Sequence, residues 1–179
     1  MTTDIHGTVA AGFESIADAF RKGFDGRPDM GAALHIRLKG EPIVDLWAGK
    51  ADARTGRPRT ADTPSVIFSC TKGLVSILIA RLVQEGRLSY DTAVAEICPE
   101  FSAGGKEGIT IGDLMSHRAG LSAPREDLDL NDMLDWDRMV HVLANQSPLW
   151  SPGTGHQYHA LTHGWLAGEI LRRITGHSV

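Results

Sequence analysis

Cysteine is scarce in this sequence. Cys70 and Cys98 are the only two in 179 residues. Their number and spacing make neither a disulfide framework nor a zinc pattern, so both are expected as reduced thiols. Long apolar runs are also missing. The longest, Leu74 to Ala80, is interrupted by Ser76, whereas a membrane span needs about 20 residues. Positive charge is not in excess: 18 basic residues face 22 acidic ones, a net charge of −4. The basic residues are scattered, which leaves no footprint for nucleic acid. The N-terminal MTTDIHGTVAAGFESIADAF has no basic segment ahead of an apolar core, so no secretory leader is read there and a cytoplasmic location is expected. Internal repeats and low-complexity tracts are absent too.

What is present is ordinary for a globular domain. Hydrophobic residues make up 42% and charged residues 22%, and the length suits one domain. Val9, Ala10, Phe13, Ile16, Ala17 and Phe20 recur at helical spacing, which predicts an amphipathic helix ending near Gly23. Leu34, Ile36 and Leu38 alternate with polar residues. Lys39-Gly40-Glu41-Pro42 is a turn signal, and Ile43 to Trp47 form the return strand. Residues 51–64 are polar and rich in Gly, Pro and Thr, and are expected as a loop. After Val66-Ile67-Phe68, a strong helical stripe runs from Leu74 to Val83 and stops at Gly86. Further helical stretches are expected around Ile111–Ser116, Asp135–Ala144 and Leu161–Ile174.

Ser69-Cys70-Thr71-Lys72 carries the chemistry. A Ser-x-x-Lys pair on the first turn of a helix puts both side chains on one face. A serine hydroxyl becomes a nucleophile when a neighbouring base takes its proton. Lysine serves as that base when neutral, and burial and a helix N-terminus both disfavour its charged form. The Ser69 amide is a candidate oxyanion donor. With 11 serines and 5 lysines, chance alone gives about 0.3 such pairs. The tetrapeptide by itself therefore also fits an N-cap serine beside a surface lysine.

Three more stretches match a family. Leu82-Val83-Gln84-Glu85-Gly86-Arg87-Leu88, with Asp91 and Pro99-Glu100-Phe101, resembles the segment after a nucleophile helix. Ile109-Thr110-Ile111-Gly112-Asp113-Leu114-Met115-Ser116-His117-Arg118-Ala119-Gly120-Leu121 resembles an "ITIRHLLTHTSGL"-like signature. Pro152-Gly153-Thr154 with Tyr158-His159-Ala160 resembles a "PG…Y" segment. Together they are similar to the serine β-lactamase and penicillin-binding-protein group, and most closely to the β-lactamase-fold carboxylesterases. The resemblance covers the chain from about residue 9 to its end.

The resemblance implies an α+β, β-lactamase/transpeptidase-like fold: an antiparallel sheet flanked by helices, with a helical subdomain. The chain is read as one incomplete domain, with a helix and β-hairpin over about 1–64 and the nucleophile helix and helical region over 65–179. The resemblance also implies Ser69 as nucleophile, Lys72 as general base and Tyr158 as proton shuttle to the leaving group. Tyr158 is one of two tyrosines; the other, Tyr90, is expected to be structural. Ala160 departs from the family's Tyr-x-Asn pattern, which favours small esters over β-lactams or D-amino-acid peptides as substrate. His159 is a candidate substrate-binding residue. No cofactor or metal is expected, since His156, His159 and His163 lack the Glu of a His-Glu-x-x-His site.

The family's later Lys-Thr-Gly-like strand is not found after Tyr158, and Arg54-Thr55-Gly56 precedes Ser69. The C-terminal strands of the sheet are therefore expected to be missing. An inactive fragment that needs a partner chain is the alternative to an active enzyme, and self-association through an open sheet edge is expected. Of the remaining residues, Cys70 is expected to pack inward, His117 to serve packing, and Asp127 to Asp137 to form a solvated acidic face.

Overall fold

The computed structural model describes residues 3–178, which divide into a unit up to Val66 and a unit from Ile67 onward. The first unit is a sheet with one helix. Its strands are β1 (Ile5–Val9), β2 (Gly31–Leu38), β3 (Glu41–Asp52) and β4 (Arg57–Pro58), and α1 spans Glu14–Lys22. The order is β1-β3-β2, with β4 also paired to β3, and the pairings are antiparallel.

Lys39 and Gly40 join β2 to β3 with φ of 51° and 89°. Two successive left-handed residues make the tight hairpin turn whose twist matches the strands. The register sets Leu34 against Leu46 and Ile36 against Val44. Alternate β3 residues Val44, Leu46 and Ala48 are buried together with Phe24, which forms this unit's core.

The expected first helix is corrected here. Val9 belongs to β1, pairs with Val44, and the helix begins only at Glu14. Gly7 is what lets β1 approach β3: a Cβ there would sit 1.9 Å from the Asp45 carbonyl oxygen. The expected loop over 51–64 also contains β4, and β3 runs on to Asp52.

The second unit is helical among the described residues: α2 (Cys70–Gln84), α3 (Val94–Ile97), a 3₁₀ turn (Pro99–Ser102), α4 (Ile111–Met115), α5 (Leu130–Leu134), α6 (Trp136–Asn145) and α7 (Thr162–Thr175). Val75, Ile79 and Leu82 of α2 share a core with Ile109, Ile111, Leu114, Leu121, Met139, Leu143, Leu166 and Ile170. Leu74, Ile77 and Leu78, on the other side of α2, are exposed. No helix among the described residues is long and apolar enough to cross a membrane.

The acidic stretch supplies helix N-caps as well as a solvated face. Asp129 accepts from the amides of Asn131 and Asp132 at the start of α5, and Asp135 from the amide of Arg138 at the start of α6. Each satisfies amides that the helix leaves without partners. Two buried charges brace the unit. Glu169 accepts from Trp136 Nε1 at 2.9 Å, Arg172 Nε at 2.7 Å and Arg173 Nε at 2.7 Å. Lys106, fully buried, donates to the carbonyls of Ala103 and Gln146 at 2.5 Å each and lies over the Phe101 ring. Burial pushes its pKa down.

Candidate active site

Residues 67–69 turn the chain sharply into α2. Phe68 has φ of 45°, a conformation few non-glycine residues hold. The amides of Cys70, Thr71 and Lys72 then donate to the carbonyls of Ile67, Phe68 and Ser69. Backbone carbonyls thus take over amides that an N-cap side chain would otherwise satisfy. Ser69 is the N-cap, yet its hydroxyl makes no capping bond. That hydroxyl instead accepts from Lys72 Nζ at 3.2 Å. Among the described residues the Ser69 amide has no acceptor. It stands at the positive end of α2, where an oxyanion is stabilised.

Lys72 Nζ also donates to the carbonyl of Ala160 at 2.6 Å, and lies 5.0 Å from the centroid of the Tyr158 ring. The tyrosine is about half exposed. The Ser69 hydroxyl above all holds its phenol below the usual tyrosine pKa; burial opposes this, and Lys72 adds to the lowering. Three side chains read from the sequence are therefore together: Ser69 and Lys72 from the first turn of α2, and Tyr158 from the segment before α7. Ser69 and Lys72 border a cavity of about 280 Å³ lined further by Val75, Ala160, Leu161 and His163.

His159 lies differently. It is buried at 1% exposure. Its Nε2 accepts from the Leu121 amide at 3.0 Å, which puts the proton on Nδ1, and Nδ1 donates to the Gln157 carbonyl at 2.7 Å. Both ring nitrogens serve the backbone, so none is left over for a substrate. Burial keeps its pKa low.

His117 was expected to serve packing, and its ring lies among four aromatic and imidazole neighbours that include Tyr158. Its ring lies 5.0 Å from Tyr158, 5.1 Å from His163, 5.4 Å from His159 and 6.0 Å from His156. The long signature carries this residue, but no spacing rule links it to Tyr158. His163 is 2% exposed, its Nδ1 has no partner among the described residues, and burial pushes its pKa down to about 4. No group of three His, Cys, Asp or Glu among the described residues is arranged to hold a metal. Cys70 is exposed rather than packed inward, because the first helical turn points it away from the core, while Cys98 is buried.

Residues 17–179 match the family described as Beta-lactamase. The chain is 40% identical over 172 residues to an esterase/beta-lactamase, LipL, of Mycobacterium tuberculosis, covering 96% of this chain and 40% of that protein. It is similar to the crystal structure of a penicillin-binding-protein homologue from Caulobacter crescentus, with TM-score 0.93, 41% identity, and coverage of 98% of this chain and 47% of that one. It is similar also to a family VIII carboxylesterase structure, with TM-score 0.90, 41% identity, and coverage of 98% and 48%. The chain thus spans less than half the length of each of these relatives.

Proposed function

The chain belongs to the β-lactamase family, and from that premise we propose that it is a serine hydrolase that forms an acyl-enzyme on Ser69, acting as a carboxylesterase on small esters. The observation that carries this reading is the 3.2 Å contact between Ser69 Oγ and Lys72 Nζ, with Tyr158 beside it. Once Lys72 is neutral, the same contact runs the other way, and the hydroxyl donates to the amine.

Ser69 Oγ attacks the ester carbonyl while its proton passes to Lys72. The carbonyl oxygen gains negative charge and is met by the Ser69 amide. The carbon–oxygen bond to the alcohol then breaks, and the alcohol leaves with a proton handed on by Tyr158 from Lys72. A phenol held below its usual pKa gives up and regains a proton more readily, which suits that relay. Water attacks the acyl-serine next, with the same groups moving the proton in reverse.

Ala160 supports an ester rather than an amide or β-lactam substrate. Its side chain has no group to hydrogen-bond an amide, and it enters the site through its carbonyl on Lys72.

A fluorophosphonate probe tests the proposal, with intact mass read on the purified chain and Ser69→Ala as control. One adduct that Ser69→Ala lacks is expected. A folded chain with no Ser69-dependent adduct overturns it.

A second reading has its own support. Leu74, Ile77 and Leu78 leave an apolar face of α2 bare, and the relatives are more than twice as long as the matched part. On this reading, turnover needs a further polypeptide segment that covers α2 and supplies the second oxyanion donor. Loss of one such donor lowers turnover by about 10²–10³. Ser69 labelling without ester turnover by the 179-residue chain would favour it.

A further inference from the structure

We propose that His117 is the positioning residue for Tyr158, clamping the two backbone amides on either side of the tyrosine. The proposal deepens the hydrolase reading and rests on it for its chemical consequence; the clamp itself rests on geometry.

The carbonyl of His117 accepts from the Gln157 amide at 3.3 Å, and its ring Nδ1 accepts from the His159 amide at 3.2 Å. The His159 amide lies in the peptide plane that leaves the Tyr158 Cα, and His117 holds it directly; the plane that enters that Cα is held at its Gln157 carbonyl by His159 Nδ1, while His117 anchors the Gln157 amide one plane earlier. Peptide planes are rigid, so fixing the two that meet at this Cα sets the direction in which the tyrosine side chain leaves the backbone. The His117 ring also lies 5.0 Å from the phenol ring at an interplanar angle of 58°, which limits the swing that remains.

The clamp is itself held. His117 has φ of 64°, a left-handed conformation in which histidine is one of the less disfavoured residues. This turn is what lets carbonyl and ring reach the same short segment. On the other side, the His159 ring is fixed between the Leu121 amide and the Gln157 carbonyl, and Thr162 Oγ1 donates to the Leu121 carbonyl at 2.6 Å. Residues 117–121 and 157–162 are thereby cross-tied at four points around Tyr158.

Nδ1 accepts a hydrogen bond only when the ring is neutral with its proton on Nε2. The titratable groups that face the ring are His156, Tyr158, His159, His163 and Lys72. Burial first, then the neighbouring His156 and Lys72, push the His117 pKa down, which favours the neutral ring. His117 touches neither the nucleophile nor a reacting atom, so its role runs through Tyr158.

The test uses the Tyr90→Phe background, which leaves Tyr158 as the single tyrosine. Phenolate formation is followed by absorbance during a pH titration. His117→Gly suits a left-handed φ and removes only the ring with its acceptor. His117→Asn also tolerates that φ and returns an acceptor near the place of Nδ1. Tyr158 is expected to titrate below the ordinary tyrosine pKa of about 10 in the background and in His117→Asn, and near about 10 in His117→Gly.

A folded His117→Gly chain in which Tyr158 titrates as in the background overturns the proposal. If the Gly variant does not fold, His117→Asn decides alone, and an ordinary Tyr158 titration in the folded Asn variant overturns it. Fluorophosphonate labelling of Ser69 is expected to slow by about 10- to 100-fold in His117→Gly, part of the 10²–10⁴ that proton transfer contributes, and to recover in His117→Asn. Absent labelling in every variant defeats the hydrolase reading, and the titration still judges the clamp.

Discussion

Lys72 Nζ donates to the carbonyl of Ala160, and this 2.6 Å bond ties the first turn of α2 to a segment 88 residues further along the chain. The same nitrogen reaches Ser69 Oγ. One ammonium group therefore both addresses the nucleophile and secures the segment that carries Tyr158.

Substitution of Lys72 is expected to act twice. Lys72→Ala removes the base, and fluorophosphonate labelling of Ser69 at neutral pH falls by at least about 100-fold. It also removes the cation beside Tyr158, so the phenol titrates closer to its usual pKa. Unchanged labelling in Lys72→Ala would show that another group takes the Ser69 proton.

Acid is expected to weaken the fold through His163. Its imidazole titrates near 6.5 when unfolded and at about 4 when folded, because burial disfavours the charged ring. Between those values the unfolded chain binds a proton that the folded chain refuses. Stability is thus full above the unfolded value and is lost as pH falls from about 6.5 toward about 4, by at most about 3 kcal/mol. His117 and His159, whose pKa values are also lowered, act in the same direction. Denaturant melts at a series of pH values check this, and His163→Leu is expected to flatten the slope over that window.

The two thiols are expected to behave as opposites. Cys70 is exposed, one residue from Ser69. Cys98 is 3% exposed, and burial pushes its pKa up to about 12. A thiol reagent should titrate one group in the native chain and two after denaturation. Alkylation at Cys70 should also hinder Ser69 labelling by bulk. Equal reaction of both thiols in the native chain would count against the buried setting of Cys98.

Self-association is expected through the sheet of the first unit. Among the described residues β2 pairs only with β3, so its outer edge presents unpaired backbone groups over Gly31–Leu38. Sedimentation velocity should show species larger than a monomer as concentration rises. Ala33→Lys, a charge on that edge, should shift the distribution back toward monomer. A monomer at all concentrations defeats this expectation.

Much of the architecture was legible because it follows period and punctuation. The β2–β3 hairpin showed in the alternation of Leu34, Ile36 and Leu38 and in the turn at Lys39-Gly40. The end of α2 showed at Gly86, where φ is 69°. β1 was not legible, since Ile5 to Val9 is short and holds a glycine whose use appears only when β3 lies against it. The pair Ser69 and Lys72 was readable because helical spacing joins them. The place of His117 was not, because its bonds reach residues 157 and 159 through the tertiary fold. Likewise Cys70 was misjudged: the apolar stripe of α2 is set by Val75, Ile79 and Leu82, and the first turn lies beyond it.

Lys106 gives the second unit a built-in reporter of its own integrity. It is one of five lysines and is fully buried, with its ammonium held by two carbonyls. An amine-reactive reagent meets that group only when the loop around Ala103 opens from the end of α6. The time course of acylation at Lys106, read by peptide mass against Lys22 and Lys39 on the surface, therefore clocks the opening of the helical core, without a fluorophore or an activity assay.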